Sequence, residues 1–384
     1  MSIPLRLGLF YAAMFAGIGA SSPYMPVWFA HRGLSGVQIG IILALPGLVR
    51  IFTGPVLAVW ADGFALRRTP LAVLALAVAG GYALLAAPVG FWGWLGLWLV
   101  ASTCFMAITP LTDVITLARA HSGGFNFGWP RGIGSAGFIV GNLGMGAILI
   151  RGSPELVVVW ITSCALLMML GARWLLPAES EPTSTPKGTA NRWTGIGDLL
   201  RDRAFMTAVI AAGLIQSAHA FYYGFSTLTW RQQGIPESLT GVLWGVAVAV
   251  EVGFLWFLEP WRRRLGPRNL LVIGGVGAVV RWAAYASAPP LWLLFPLQGL
   301  HALSYAATFL ATLEIGARLS APTNASAAQS MSAAVGSLLA GLATLASGWI
   351  FDRFGSGGYL LMAAMCVVGL AAALTLYREP RLDA

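Results

Sequence analysis

Five ionisable residues stand inside long apolar runs, where such residues are rare: Arg50, His219, Glu251, Arg281 and His301. A charge at the centre of a spanning helix costs at least about 2.5–3.5 kcal/mol, so these side chains must face a cavity or a partner. Glu251 lies in LWGVAVAVEVGFLWF, and a desolvated carboxylate there is suited to take up and release a proton. His219 and His301 fit a relay, because imidazole titrates near neutral pH, and equally fit simple hydrogen-bonded burial. Arg50 and Arg281 carry guanidinium groups that can grip a carboxylate with two parallel hydrogen bonds. The chemistry these types allow is proton transfer beside a small-molecule site, with a fixed ion pair between Arg50 and Glu251 as the plainer alternative.

The residues around them extend the pattern. IQSAHAFYYGFSTLTW puts Gln216, His219 and Tyr223 at i, i+3, i+7 on one helical face, a lining able to stack an aromatic ring and hydrogen-bond its substituents, whereas Tyr222 and Trp230 also fit helix packing or an interfacial belt. A second set lies toward the ends of the apolar runs: Asp113, Arg131, Glu314 and Arg318, with Asp62 just ahead of Arg67 and Arg68. We read this set as a cytoplasmic gate, separate from the central site.

Other chemistries lack their residues. Cys104, Cys164 and Cys366 are scattered without metal or redox spacing, so no metal site is expected. GIGSAG, from Gly132 to Gly137, satisfies a dinucleotide pattern but has no strand before it, and Gly137 and Gly141 at GxxxG spacing instead allow close helix approach. There is no Walker A sequence, HExxH or GxSxG, so the expectation is a protein that is no enzyme, needs no cofactor and draws its energy from a proton gradient.

The elements that must hold these residues are membrane helices. Of the 384 residues 58% are hydrophobic and 10% charged, against roughly 25% charged in soluble domains, and the mean hydropathy is +0.76. Apolar runs between turn and charge signals predict twelve transmembrane helices near 6–30, 36–61, 70–89, 92–118, 127–150, 155–176, 204–230, 236–259, 269–287, 290–318, 323–350 and 357–377. The first is too long for a signal-peptide core and reads as an uncleaved span. The stretch 178–203, rich in Pro, Ser, Thr and charge, is the expected cytoplasmic linker between an amino-terminal bundle at 1–177 and a carboxy-terminal bundle at 204–384. With both termini cytoplasmic, sixteen Lys and Arg fall inside, among them Lys187 and Arg192, and four outside. That asymmetry satisfies the positive-inside rule and explains the net charge of +9 without nucleic acid.

An internal repeat supports the division. A shift of 201 residues lays Gly40 on Gly241, Arg50 on Glu251 and Asp113 on Glu314. The fold expected is therefore all-α, with two pseudo-symmetric six-helix bundles, and the repeat places Arg50 and Glu251 on corresponding helices of opposite halves.

GPVLAVWADGFALRR and FLEPWRRRLGPR resemble the loop signature of the major facilitator superfamily, in which an acid at a helix end and a following basic cluster latch neighbouring helices. SAHAFYYGFSTLTW, GVLWGVAVAVEV, VVRWAAYA, PLTD and FGWPRGIGSAGFIVGN resemble its phenylpropionate permease-like branch and, more distantly, the oligosaccharide and nucleoside proton symporters. The likeness carries over Arg50, Asp113, Arg131, His219, Tyr222, Tyr223, Glu251, Arg281 and His301; it departs at Phe127, where tyrosine is usual, and at Trp129, where a basic residue is usual. It implies alternating access and proton-coupled import of a small aromatic acid by a monomer in a bacterial-type inner membrane, with Arg50 or Arg281 holding the carboxylate. Sugar or nucleoside symport and efflux of hydrophobic compounds remain the competing readings.

Overall fold

The computed structural model describes residues 1–177, 196–320 and 325–382, and among them there are helices and no strands. Chain contacts divide it into two units: Met1–Thr183 with Gly224–Val242, and Ser184–Tyr223 with Leu243–Ala384.

The first unit contains α1 (Ile3–His31), α2 (Gly36–Asp62), α3 (Arg68–Leu85), α4 (Gly90–Gly123), α5 (Gly128–Ile148) and α6 (Glu155–Trp174). Local sequence sets several of these ends. Ser35 and Gln38 form a capping box that starts α2, which satisfies backbone N–H groups that have no partner within the helix. Arg6 and Arg68 donate to the carbonyls of Trp174 and Arg173, closing the carboxyl end of α6. α1 packs along α5 and α6, while α3 packs against α4 and α6.

Lipid offers no hydrophobic drive for helix pairing, so close van der Waals approach must supply it. In α5 a Cβ added at Gly137 would meet the Ala12 backbone at 2.5 Å, and one added at Gly141 the Ala16 carbonyl oxygen at 2.1 Å. The GxxxG reading of the sequence is thus the α1–α5 contact itself.

The second unit contains a short α7 (Ile196–Arg201), α8 (Arg203–Ser217), the start of α9 (His219–Gln232), the later part of α10 (Glu237–Phe257), α11 (Glu259–Ala286), α12 (Leu291–Gly299), a π-helical turn (Ala302–Ala307), α13 (Thr308–Leu319), α14 (Ala325–Phe354) and α15 (Tyr359–Thr375). The dividing line runs through α9 and α10, whose segment 224–242 belongs to the first unit. Asp202 caps α8 by accepting from the N–H groups of Ala204 and Phe205. α8 packs on α14 and α15, and α11 on α15 and α13, which repeats the pairing pattern of the first unit. α2 and α10 begin 201 residues apart, as do α4 and α12, so the repeat register of the sequence is also that of the helix starts.

Ten helical stretches among the described residues are long and apolar enough to cross a membrane. The last, Ala327–Arg378, has 52 residues, about twice a span, and is interrupted at Gly355–Gly358. α5 has 21 residues and adds another segment of spanning length, its mean hydropathy lowered by glycine and Arg131. The twelve expected spans are accounted for in this way. Large apolar side chains such as Phe52, Trp92, Trp256 and Phe257 lie exposed on the outside of the helices, as lipid requires.

Two spans carry local irregularities, and one expectation needs correction. The seventh expected span is one apolar helical stretch, Arg203–Gln232, with a local hydrogen-bond irregularity at Ala218, whose backbone stays right-handed helical. The tenth carries the π turn, preceded by Pro296, which removes a helical N–H donor. The connection expected at 260–268 is largely helical, forming the first part of α11 ahead of a kink at Gly266 and Pro267. The linker expected at 178–203, with Lys187 and Arg192, lies outside the described residues up to 195, and Ile196–Arg201 is helical.

Candidate functional site

In the second unit the helix irregularities meet at one polar cluster. The turn at Ala218 precedes His219, and the π turn carries Ser304 and Tyr305 just after His301. Arg281 projects from α11 between them and is completely buried. It donates through NH1 to Nδ1 of His301 at 3.0 Å and to Ser304 Oγ at 3.2 Å, and through NH2 to Oε1 of Gln298 at 2.7 Å. Its guanidinium also lies 4.5 Å from the ring centre of Trp282 and 4.9 Å from that of Tyr222, contacts that favour a desolvated cation.

Donor logic places the ring protons. Arginine only donates, so Nδ1 of His301 accepts and the ring proton sits on Nε2, 3.3 Å from Oε2 of Glu251. His219 approaches the Gln216 carbonyl with Nδ1 at 3.0 Å, so that nitrogen carries a proton. Ser304 Oγ receives from Arg281, and it lies 3.1 Å from Nε2 of His219 and 3.4 Å from the His301 carbonyl oxygen, to which it can donate. A proton added at Nδ1 of His301 would set two donors face to face. The end open to a proton is Glu251, whose side chain is 23% exposed while that of His301 is 7% exposed.

Gln298, His301 and Ser304 recur every three residues in one span, a signal the sequence reading reduced to His301 alone. Gln298 passes the network on by donating to the Tyr222 hydroxyl at 2.9 Å. Tyr222 is buried and stacks on Trp244, whereas Tyr223 is 38% exposed beside His219. Gln216 donates to the carbonyl of Tyr305, so the face named from sequence spacing does turn toward the π turn.

Arg50 is placed in the first unit, where it lines a cavity of about 470 Å³ walled by α1, α2, α3 and α4, within the usual range of about 300–1,000 Å³ for small-molecule sites. It makes no ion pair or hydrogen bond among the described residues. Tyr82, Trp98 and Phe105 give the cavity aromatic walls; Trp98, Ser102, Phe105, Thr109 and Asp113 form a single stripe of α4. Asp113 accepts from the Tyr11 hydroxyl at 2.5 Å and lies 3.7 Å from Arg131, whose guanidinium covers the Phe15 ring at 4.7 Å. This acid is therefore already committed to α1 and α5.

The remaining residues read from sequence as a gate form local contacts. Glu314 and Arg318 pair at i, i+4, and Arg318 also reaches the Leu382 carbonyl. Asp62 is exposed at the end of α2, and Arg68, its expected partner, is turned to α6. In the second copy of the loop Glu259 pairs with Arg263 on its own helix. No group of His, Cys, Asp and Glu able to hold a metal occurs among the described residues.

Comparison with known proteins agrees with this architecture. The family model described as "MFS_1 like family" matches residues 5–361. The chain is 28% identical over 374 residues to a protein of Escherichia coli K12 named "Probable 3-phenylpropionic acid transporter", covering 94% of each chain. It is also 28% identical over 391 residues to the maltose permease of Geobacillus stearothermophilus, covering 97% of this chain and 94% of the permease. Among solved structures, the nucleoside transporter NupG superposes with a TM-score of 0.86 at 16% identity, over 99% of this chain and all of that one; at that identity the likeness is one of fold.

Proposed function

The chain belongs to the MFS_1 like family of multi-pass membrane transporters, and from that premise we propose that it imports a small aromatic carboxylate together with protons. The observation that carries this reading is the buried chain Arg281–His301–Glu251, in which the acid is the one accessible end. When Glu251 is ionised, the N–H of His301 and the charge of Arg281 face it; when a proton neutralises it, Arg281 loses its counter-charge and the network has reason to rearrange. A titrating group coupled to a bulky buried network is what couples proton entry to conformational change.

Arg50 is the group for the substrate carboxylate. Arg281 has both terminal nitrogens engaged by His301, Ser304 and Gln298 and is sealed from solvent, while Arg50 stands unpaired on an aromatic-walled cavity. The relative named for 3-phenylpropionic acid points to the same substrate class. The asymmetry of basic residues supports cytoplasmic termini in a bacterial-type inner membrane, and we take the monomer as the working unit.

Uptake of labelled 3-phenylpropionate into vesicles, with and without an inward proton gradient, tests the reading. Gradient-driven accumulation is expected in the wild type and is lost in Glu251→Gln, which retains only downhill exchange. Accumulation that persists in Glu251→Gln would refute the proton role. Competition by maltose without competition by aromatic acids would favour the sugar reading.

A further inference from the structure

The second copy of the loop motif forms no latch between helices, because its acid, Glu259, pairs with Arg263 one turn along the same helix. We infer that the segment 256–264 is instead a docking surface for the headgroups of anionic phospholipids.

Two breaks set this segment off from the spans on either side. α10 ends at Phe257, Leu258 leaves helical geometry, and the helical residues 259–265 stop at Gly266, whose φ of 72° lies in the left-handed region. The stretch between the breaks thus lies where α10 leaves the hydrocarbon and the spanning part of α11 enters it. At about 100° per residue, one face of it holds Glu259, Pro260, Trp261, Arg263 and Arg264, and all of these are exposed. Arg262 turns the other way, donating to the Leu255 carbonyl at 2.7 Å and covering the Phe254 ring. Trp261 leans edge-on against the same ring, with centres 6.4 Å apart.

The outward face combines free cations with large apolar groups. The Arg263 side chain is 80% exposed, and Arg264 makes no hydrogen bond or ion pair among the described residues. Other arginines at helix ends are drawn onto protein groups: Arg6 and Arg68 onto carbonyls of α6, Arg381 onto Asp202. Beside the free cations Trp256 is 72% exposed, Phe257 76% and Trp261 40%. A soluble anion has no use for those rings. A phospholipid uses both parts, since aromatic side chains settle at the hydrocarbon boundary while guanidinium groups reach the phosphate layer and grip its oxygens. Near an anionic surface each arginine is worth about fivefold in affinity, so Arg263 and Arg264 together should give about 25-fold.

Native mass spectrometry of the full-length protein released from neutral detergent, after titration with dioleoylphosphatidylglycerol, dioleoylphosphatidylcholine or inorganic phosphate, tests this. The wild type is expected to take up its first phosphatidylglycerol at about 25-fold lower concentration than phosphatidylcholine. In the Arg263→Gln/Arg264→Gln double variant that preference should fall to about one. Arg201→Gln/Arg378→Gln removes the same charge from exposed arginines elsewhere and should keep the wild-type preference. Equal uptake of the two lipids by the wild type, a preference that survives loss of Arg263 and Arg264, or an equal loss in the control variant overturns the inference. So does inorganic phosphate that binds as tightly as phosphatidylglycerol.

Discussion

Removing the charges of Glu251 and Arg281, singly and together, measures whether the two ends of the buried chain feel each other across His301. NH1 of Arg281 lies 3.0 Å from Nδ1 of the imidazole, and Oε2 of Glu251 lies 3.3 Å from its Nε2. With about 2.2 Å between the ring nitrogens, the charged atoms are at most about 8.5 Å apart, which at an effective dielectric constant near 20 is an attraction of about 2 kcal/mol. Glu251→Gln keeps an acceptor for the imidazole N–H and loses mainly this attraction. Arg281→Met also strands His301, Ser304 and Gln298, each of which loses a donor, and it should cost about 3–5 kcal/mol, the range for breaking a buried charged contact from one side. Denaturant unfolding of all four proteins in mixed micelles closes a double-mutant cycle. The double variant should be more stable than the sum of the single losses implies, by about 2 kcal/mol. Additivity to within about 0.5 kcal/mol would refute the electrostatic coupling and with it the reason for the network to respond to a proton at Glu251.

Other outcomes follow from the same contacts. Gly141→Val should abolish accumulation of folded protein, because its Cβ would sit 2.1 Å from the Ala16 carbonyl oxygen, whereas Gly96→Ala, which meets nothing within 4 Å, should be tolerated; yield of monodisperse protein after extraction reads both. Arg50→Lys, which keeps the charge and loses the bidentate fork, should weaken apparent affinity for an aromatic acid about tenfold in the uptake assay. At the membrane surface, hydrogen bonds from Arg381 hold the Asp202 carboxyl below the ordinary aspartate value of 3.8. A lowered folded-state value stabilises the protein above the ordinary value, and the contribution is lost as pH falls through the lowered one. Asp202→Asn should therefore be less stable than wild type at pH 7, with the gap closing as pH drops below about 4 in thermal unfolding.

Much of the fold was legible without coordinates. A membrane span must bury its backbone polar groups within one helix, so span number follows from apolar length alone, and α5 was found because its boundaries are marked even though glycine dilutes its hydropathy. The Gly137–Gly141 spacing named a helix contact because only close approach rewards a missing side chain there. Arg50, His219, Glu251, Arg281 and His301 stood out for a comparable reason: an ionisable group in hydrocarbon is too costly to occur without a role.

What sequence could not decide is which of these groups meet. Spacing along one helix says nothing of the neighbour on another, so the engagement of His301 between Arg281 and Glu251 required the packing of α10, α11 and the π turn. Gln298 and Ser304 passed unnoticed because neutral polar residues are common in membrane helices, and their meaning comes from the guanidinium beside them. The irregularities at Ala218 and Ala302–Ala307 were invisible because local propensity there is helical, while tertiary contacts decide the hydrogen-bond register. The likeness of Arg50 and Arg281 in sequence ended in the same way: Arg281 is held by three hydrogen-bond partners and three aromatic rings in its own unit, and Arg50 is left facing a cavity. Charge in an apolar run was written in the amino-acid order; which charge stays available to a ligand depended on the shape of the bundle around it.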